Sequence, residues 1–359
     1  MFVLLRFRKP GNNRTNSAEK VLSMRNDRSV RRYQSDNGIV VYKLPVEAFP
    51  NHVTNCYLVL DDAITLIDSG SGWESSNMSL VQGFDRIREE FDERLTLKDV
   101  KRHILTHGHI DHFGGLNFVV EQSGADIGIH ELDASIIRHF RERLIVSTKN
   151  LHVFLDRAGL PREKTAKLLE MNKWSKDYFQ ATTVQFTFTE GRIPGTHFIA
   201  HHAPGHCPGQ VCLQLGNILF TADHVLSHTT PNQSPEFIMR YTGLGHYLES
   251  LKRVRAIPDI ALALGGHEDP IENLHARIDE TVAFHEARCE KLLHITREPK
   301  TVEQISLELF GDRQHYHVLL ALLETGAHVE YLHERGYMVV TNIDEIENAD
   351  NPVLYYQTV

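Results

Sequence analysis

The sequence has little cysteine, no net positive charge and no long apolar run, and each lack removes a class of protein. Its four cysteines, Cys56, Cys207, Cys212 and Cys289, are scattered through 359 residues without a CxxC pair. A disulfide framework is therefore not expected, and reduced thiols in a cytoplasm are. No stretch approaches the roughly 20 apolar residues that cross a bilayer. The apolar start, Met1 to Leu5, gives way at once to Arg6, Arg8 and Lys9, too soon for the apolar region of a secretory signal. A cytoplasmic protein with no membrane partner is expected. Acidic residues outnumber basic ones by 47 to 38, for a net charge of −9, which disfavours a polyanionic partner for the whole molecule. No repeat of fixed period is visible.

What is present is a chain long enough for two domains, with an ordinary apolar fraction of 41% and hence material for a large core. Residues 1–34 carry nine basic side chains (Arg6, Arg8, Lys9, Arg14, Lys20, Arg25, Arg28, Arg31, Arg32) against Glu19 and Asp27. Without apolar periodicity they read as a disordered basic arm, with organelle targeting or nucleic-acid contact as the functional alternatives. Strands are expected at Gly38–Tyr42, Cys56–Leu60, Ile64–Ile67 and Ile104–Leu105, with a helix over about 78–91. The charged segment 131–179 reads as helices broken at Pro161. Strands return at Thr183–Thr189, Phe198–Ala200, Val211–Leu215, Ile218–Phe220 and Ile260–Leu264. Beyond 276 the pattern is helical: a capping box at Thr301 and Gln304, helices over 316–324 and 327–334, then a strand over 337–341 that makes a β wing. The tail occupies 346–359.

Histidine is abundant, at 23 residues, and a minority sit at spacings that need a chemical reason. The run His107-Gly108-His109-Ile110-Asp111-His112 places four metal-binding side chains in six positions. Residues two apart on one helix do not share a face, so His107 and His109 converge only on a loop, where Gly108 permits a tight turn. Imidazole with carboxylate suits zinc, iron or manganese better than calcium. Further ligands are available in matching places: His206 within Pro204-Gly205-His206-Cys207-Pro208-Gly209, Asp223 after an apolar strand, and His267 after Gly265-Gly266. Cys207 reads as a small buried thiol, His224 as structural, and His228, His246, His285 and His294 as surface or packing residues.

This order of motifs resembles the metallo-β-lactamase superfamily over about residues 38–275, and most of all its glyoxalase II-like branch. The resemblance implies an α/β fold, the αββα sandwich over 35–275 with 131–179 as a helical lid; beyond it, the helices and the β wing read as a small winged-helix-like domain over 276–345. The same resemblance implies that His107, His109 and His206 hold one metal, that Asp111, His112 and His267 hold a second, and that Asp223 bridges them, with Asp68 of the turn Asp68-Ser69-Gly70 supporting the site from behind. Two divalent ions, zinc first and iron or manganese as alternatives, would supply hydroxide to an electrophilic carbonyl, with Asp111 orienting the nucleophile and returning a proton to the leaving group.

The resemblance also implies a substrate class. Common lactamases carry cysteine at the position of Asp223, so a small-molecule thioester, ester or lactone is expected rather than a β-lactam. Two rivals are an endoribonuclease or phosphodiesterase acting on single-stranded RNA and a mononuclear iron persulfide dioxygenase using only the first triad. Between 277 and 342 seven Lys/Arg face eleven Asp/Glu, which argues against a nucleic-acid-gripping tail. Packing on the catalytic domain or a homodimer contact is the expected role of that tail.

Overall fold

The computed structural model of the chain describes residues 29–173 and 179–359. A seven-stranded sheet runs in the order β1 (Arg31–Gln34), β2 (Val40–Phe49), β3 (His52–Leu60), β4 (Thr65–Ile67), β5 (Arg102–Leu105), β6 (Asp126–His130) and β7 (Phe186–Phe188). The β1–β4 meander is antiparallel, and β4 to β7 are parallel. A five-stranded sheet is formed by β8 (Gly191–Arg192), β9 (Ile199–His202), β10 (Val211–Leu215), β11 (Ile218–Ala222) and β12 (Leu262–Gly265). The helices described before β7 are α1 (Glu74–Phe91), α2 (Ile110–Phe113), α3 (Leu116–Ser123), α4 (Glu131–Arg138), α5 (Phe140–Arg157) and α6 (Arg162–Lys173). After β11 come α7 (Leu244–Arg255), α8 (Leu274–Ile295), α9 (Val302–Phe310), α10 (Tyr316–Glu334), β13 (Met338–Val340), α11 (Ile343–Asn348) and β14 (Tyr356–Thr358).

Alternation along the strands builds the layers. Val41 and Val59 point inward with Ile104 to meet Phe198, Leu213 and Phe220 of the second sheet. Tyr42, Leu44 and Leu58 point the other way, onto Leu80, Phe84 and Ile87 of α1. Residues of period two sharing a face explain the division, and both faces of the central strands are apolar because both are covered. On the far side, Cys212, Leu219 and Ala263 pack on Leu244, Tyr247 and Leu251 of α7. The result is the αββα sandwich that the resemblance implies. No helix among the described residues is long and apolar enough to cross a membrane.

Four expectations change. The basic arm was expected to reach residue 34, but Arg31–Gln34 pairs with Val40–Lys43 as an edge strand; an edge needs only backbone partners, so apolar alternation is not required of it. Residues 1–28 of that arm lie outside the described residues. The helices expected at 316–324 and 327–334 are one helix, α10. Gly326 serves close packing there, since a Cβ would meet Phe154 at 2.6 Å and Pro235 at 2.9 Å. The tail contains β14, which pairs with β13 while Tyr356 bridges to Lys300. Finally, the C-terminal helices share a core with the segment expected to be a lid: Leu151, Phe154 and Leu155 of α5 and Leu168 of α6 pack with Leu292, Ile305, Leu319 and Leu323. Burial of one apolar face against another, rather than a linker, joins the two regions. The Thr301–Gln304 capping box is present, with both hydrogen bonds made.

Candidate metal centre

The seven candidate ligands leave the two sheets at one common edge. His107 and His109 follow β5, Asp111 and His112 lie in the single turn α2, His206 sits between β9 and β10, Asp223 follows β11 and His267 follows β12. All are buried. Glycines let the loops approach: a Cβ on Gly266 would stand 2.4 Å from Asp223 Oδ1 and 2.7 Å from His112 Cε1. On the opposite side a Cβ on Gly115 would stand 2.2 Å from the Ser69 carbonyl, so the turn after β4 can press against α2.

Two clusters of ligand atoms result. His107, His109, His206 and Asp223 form one, and His112, Asp223 and His267 another, each with its ligand atoms within 4.8 Å of one another. His107 Nε2 faces His109 Nδ1 at 3.1 Å, and His112 Nε2 faces His267 Nε2 at 3.3 Å. Nitrogens bound tetrahedrally to zinc at about 2.0–2.1 Å stand about 3.3–3.4 Å apart, so these separations suit a shared cation. Asp223 divides between the clusters. Its Oδ1 lies 3.3 Å from both His112 Nε2 and His267 Nε2, whereas its Oδ2 lies 3.5 Å from His206 Nε2 and 3.9 Å from His107 Nε2. Asp111 Oδ2 lies 3.8 Å from His112 Nε2 and 3.6 Å from His267 Nε2.

Buried atoms of the candidate ligands without hydrogen bonds make the same point. Asp111 Oδ1, Asp223 Oδ1 and His206 Nε2 are orphaned there, and buried polar atoms carry a cost unless something binds them. Burial, helped by neighbouring imidazoles, holds His107 and His109 well below their ordinary value, in the neutral form that ligation requires. Burial opposes charge on His112 too, but Asp223, Asp68 and Asp111 outweigh it and hold His112 well above its ordinary value. Carboxylates that favour a proton at His112 also favour a metal cation. The donor set thus fits divalent metal.

Behind the ligands stands a layer of hydrogen bonds. Asp68, at a left-handed φ of 58°, accepts from Thr106 N at 2.9 Å through Oδ1, and from Thr106 Oγ1 and His112 Nδ1, each at 2.8 Å, through Oδ2. Because the Thr106 hydroxyl donates to Asp68, it is free to accept from His107 Nδ1 at 3.1 Å. One carboxylate therefore orients an imidazole in each cluster. His206 Nδ1 donates to Asn232 O at 3.1 Å and His267 Nδ1 to Val53 O at 2.6 Å. Each bond turns the other ring nitrogen inward.

Several contributors escape sequence reading. His52 Nε2 meets Asp111 Oδ2 at 2.8 Å. Asp133 of α4 accepts from Gly108 N through Oδ2 and from Gly209 N through Oδ1, both at 2.8 Å, and so ties two ligand loops together. Burial pushes its carboxyl up to about 6 against those donors. Glu324 of α10 accepts from Gln233 N at 2.7 Å and pairs with Arg288, steadying the loop whose Asn232 carbonyl holds His206. Glu330, one and a half turns on, accepts from Glu236 N at 2.6 Å and Phe237 N at 3.0 Å. No local pattern marks these residues, since their partners are backbone amides or a single distant side chain. His224 is buried against Tyr247, with ring centroids 5.2 Å apart. Burial raises the Cys207 thiol well above its ordinary value. A cavity of about 490 Å³ opens beside Gly108 and His109, walled by α4, α5 and the loop 236–241.

Comparison with known proteins gives a match of residues 50–267 to the sequence family described as the metallo-beta-lactamase superfamily, a span that includes every candidate ligand. The probable metallo-hydrolase YqjP of Bacillus subtilis (strain 168) is 23% identical over 285 residues, covering 77% of this chain and 86% of that protein. Ribonuclease J 1 of Streptococcus pyogenes serotype M3 is 27% identical over 185 residues, which is 51% of this chain and 28% of that one. Among solved structures, a metallo-beta-lactamase family protein from Thermus thermophilus has a TM-score of 0.70 at 27% identity, covering 89% of this chain and 98% of its own. A beta-lactamase domain protein from Burkholderia ambifaria has a TM-score of 0.69 at 22% identity, covering 91% and 93%; that likeness is one of fold.

Proposed function

Because the chain belongs to the metallo-β-lactamase superfamily, we propose that it is a two-metal hydrolase of a small-molecule thioester, ester or lactone. The observation that carries this reading is Asp223, whose two carboxylate oxygens face different imidazole clusters. His107, His109 and His206 would hold one divalent ion, Asp111, His112 and His267 the other, and Asp223 both, with zinc the first choice for an imidazole and carboxylate set. Ions in such a pair lower the pKa of water and polarise a carbonyl.

The protein's own groups supply the rest. Asp111 is fixed by His52 through Oδ2, which leaves its unbonded Oδ1 to orient a water and take its proton. The water oxygen joins the carbonyl carbon and the carbon–sulfur or carbon–oxygen bond breaks. The proton then passes from Asp111 to the departing group, giving an acid and a thiol or alcohol. A mononuclear dioxygenase would leave the inward-turned His112 and His267 idle.

Kinship with a ribonuclease favours a second reading, cleavage of single-stranded RNA, against which the net charge of −9 counts. The test is metal analysis with a substrate panel: S-lactoylglutathione, acyl-coenzyme A thioesters, homoserine lactones and single-stranded RNA, with Asp223→Ala as control. Close to two ions per chain and thioester or lactone turnover are expected. One ion or none in active protein refutes the two-metal centre, and turnover of RNA alone refutes the substrate class.

A further inference from the structure

We propose that the cavity beside His109 takes the apolar acyl chain of a substrate whose remainder is anionic, the anion being gripped by Arg143 and Arg240. The inference rests on the hydrolase reading above and narrows its substrate.

Position comes first. The cavity begins at Gly108 and His109, so a chain lying in it delivers its carbonyl to the edge of the metal centre. Its volume of about 490 Å³ is that of a small-molecule site. The walls are apolar: Leu132 and Ile136 from α4, Phe140 and Leu144 from α5, Ile238 and Met239 from the loop. At the mouth Val146, Phe237 and Tyr241 stay 44–45% exposed. Large apolar side chains grouped around an opening cost solvation that an apolar ligand recovers.

Charge narrows the class further. Arg143 of α5 and Arg240 of the loop both line the cavity, from two of its three walls. Neither guanidinium has a side-chain partner among the described residues. The single acid in the lining, Glu236, is engaged elsewhere: it accepts from Tyr241 N at 3.2 Å and lies 3.2 Å from His246 Nε2. In a chain of net charge −9, two arginines that line one cavity without an acidic partner among the described residues give it local positive charge. Guanidinium binds carboxylate and phosphate alike, so either anion suits it.

The test compares acetyl, hexanoyl and decanoyl thioesters of coenzyme A, glutathione and neutral N-acetylcysteamine on the metal-loaded protein. Burial of methylenes predicts that kcat/KM rises about four-fold per methylene until the cavity is filled. The coenzyme A arm offers phosphate and the glutathione arm carboxylate, and at least one is expected to exceed the neutral thioester about five- to ten-fold. Arg143→Ala with Arg240→Ala should abolish that ratio. Independently of turnover, sodium decanoate should displace a fluorescent fatty-acid probe at least five-fold better than 1-decanol does, and the Arg143→Ala, Arg240→Ala double variant should lose most of that preference while a preference due to the metal centre would persist. Decanoate binding without hydrolysis of any thioester supports the cavity and refutes a thioester as the substrate of the proposed hydrolase. Thioester hydrolysis that is indifferent to chain length and to charge refutes the cavity and leaves the hydrolase standing.

Discussion

Replacing Glu330 by glutamine tests how α10 holds the cavity wall. The Glu330 carboxyl is half-buried against the loop, with Glu334 and Glu236 nearby. Burial first, then those two acids, outweigh the backbone donors of Phe237 and Glu236 and raise its pKa from 4.5 to about 7. The folded state therefore binds the proton more tightly than the unfolded chain does. The stability that this contributes is complete below about pH 4 and is lost as pH rises through about 7. A difference of about 2.5 pH units corresponds to about 3 kcal/mol, and partial exposure of the helix surface reduces this to about 2 kcal/mol. Glutamine does not titrate, and it sets a donor against one of the two backbone amides, a cost that is the same at every pH. Urea unfolding of both proteins at pH 5, 6, 7 and 8 therefore reads the change in their difference. Between pH 5 and pH 8 that difference should move by about 2 kcal/mol in favour of the variant. Titrations elsewhere cancel in the difference between two proteins that differ at one site. A difference that stays constant from pH 5 to 8 would refute the argument.

The remaining predictions concern the centre itself. Asp133→Asn replaces one of two acceptors by a donor facing a glycine amide. It should cost about 2 kcal/mol in stability and about 10- to 100-fold in metal affinity, read by metal retained after dialysis against a chelator. Gly266→Ala puts a methyl group within 2.4 Å of Asp223 Oδ1 and should empty the centre, with far-UV circular dichroism unchanged; full metal content would contradict the close approach. His52→Ala should lower kcat about 10-fold or more with KM and metal content little changed, and His52→Gln, which keeps a donor for Asp111, should restore most of it. An equal loss in both variants would place His52 outside the positioning of Asp111.

Much of the site was legible because its chemistry is local. His107 to His112 form one short run, and His206, Asp223 and His267 each follow a strand or a glycine pair, so side-chain type and chain direction appear together in the sequence. His52 and Asp133 were not legible. Each acts on a partner brought close only by the pairing of strands or the docking of a helix, 59 and 25 residues away in one case and the other. The central strands were legible as short apolar runs, whereas Arg31–Gln34 was not, because an edge strand is held by backbone rather than by pattern. The break expected between 324 and 327 falls at Gly326, a residue that helix propensity disfavours. Contact with Phe154 and Pro235 decides otherwise, and that contact exists only after α5 and α10 have met.

The division of the ligands between the two sheets has a consequence for how the protein is made. His107, His109, Asp111 and His112 belong to the first half of the chain, and His206, Asp223 and His267 to the second. Each cluster draws on both halves. A cation bound in either would therefore rivet one sheet to the other, and its binding energy would be folding energy for the seam between them. Metal supply during synthesis would then set yield as well as activity. A chain produced in metal-poor medium should open first along that seam, and late addition of zinc should rescue only molecules whose halves have already found each other.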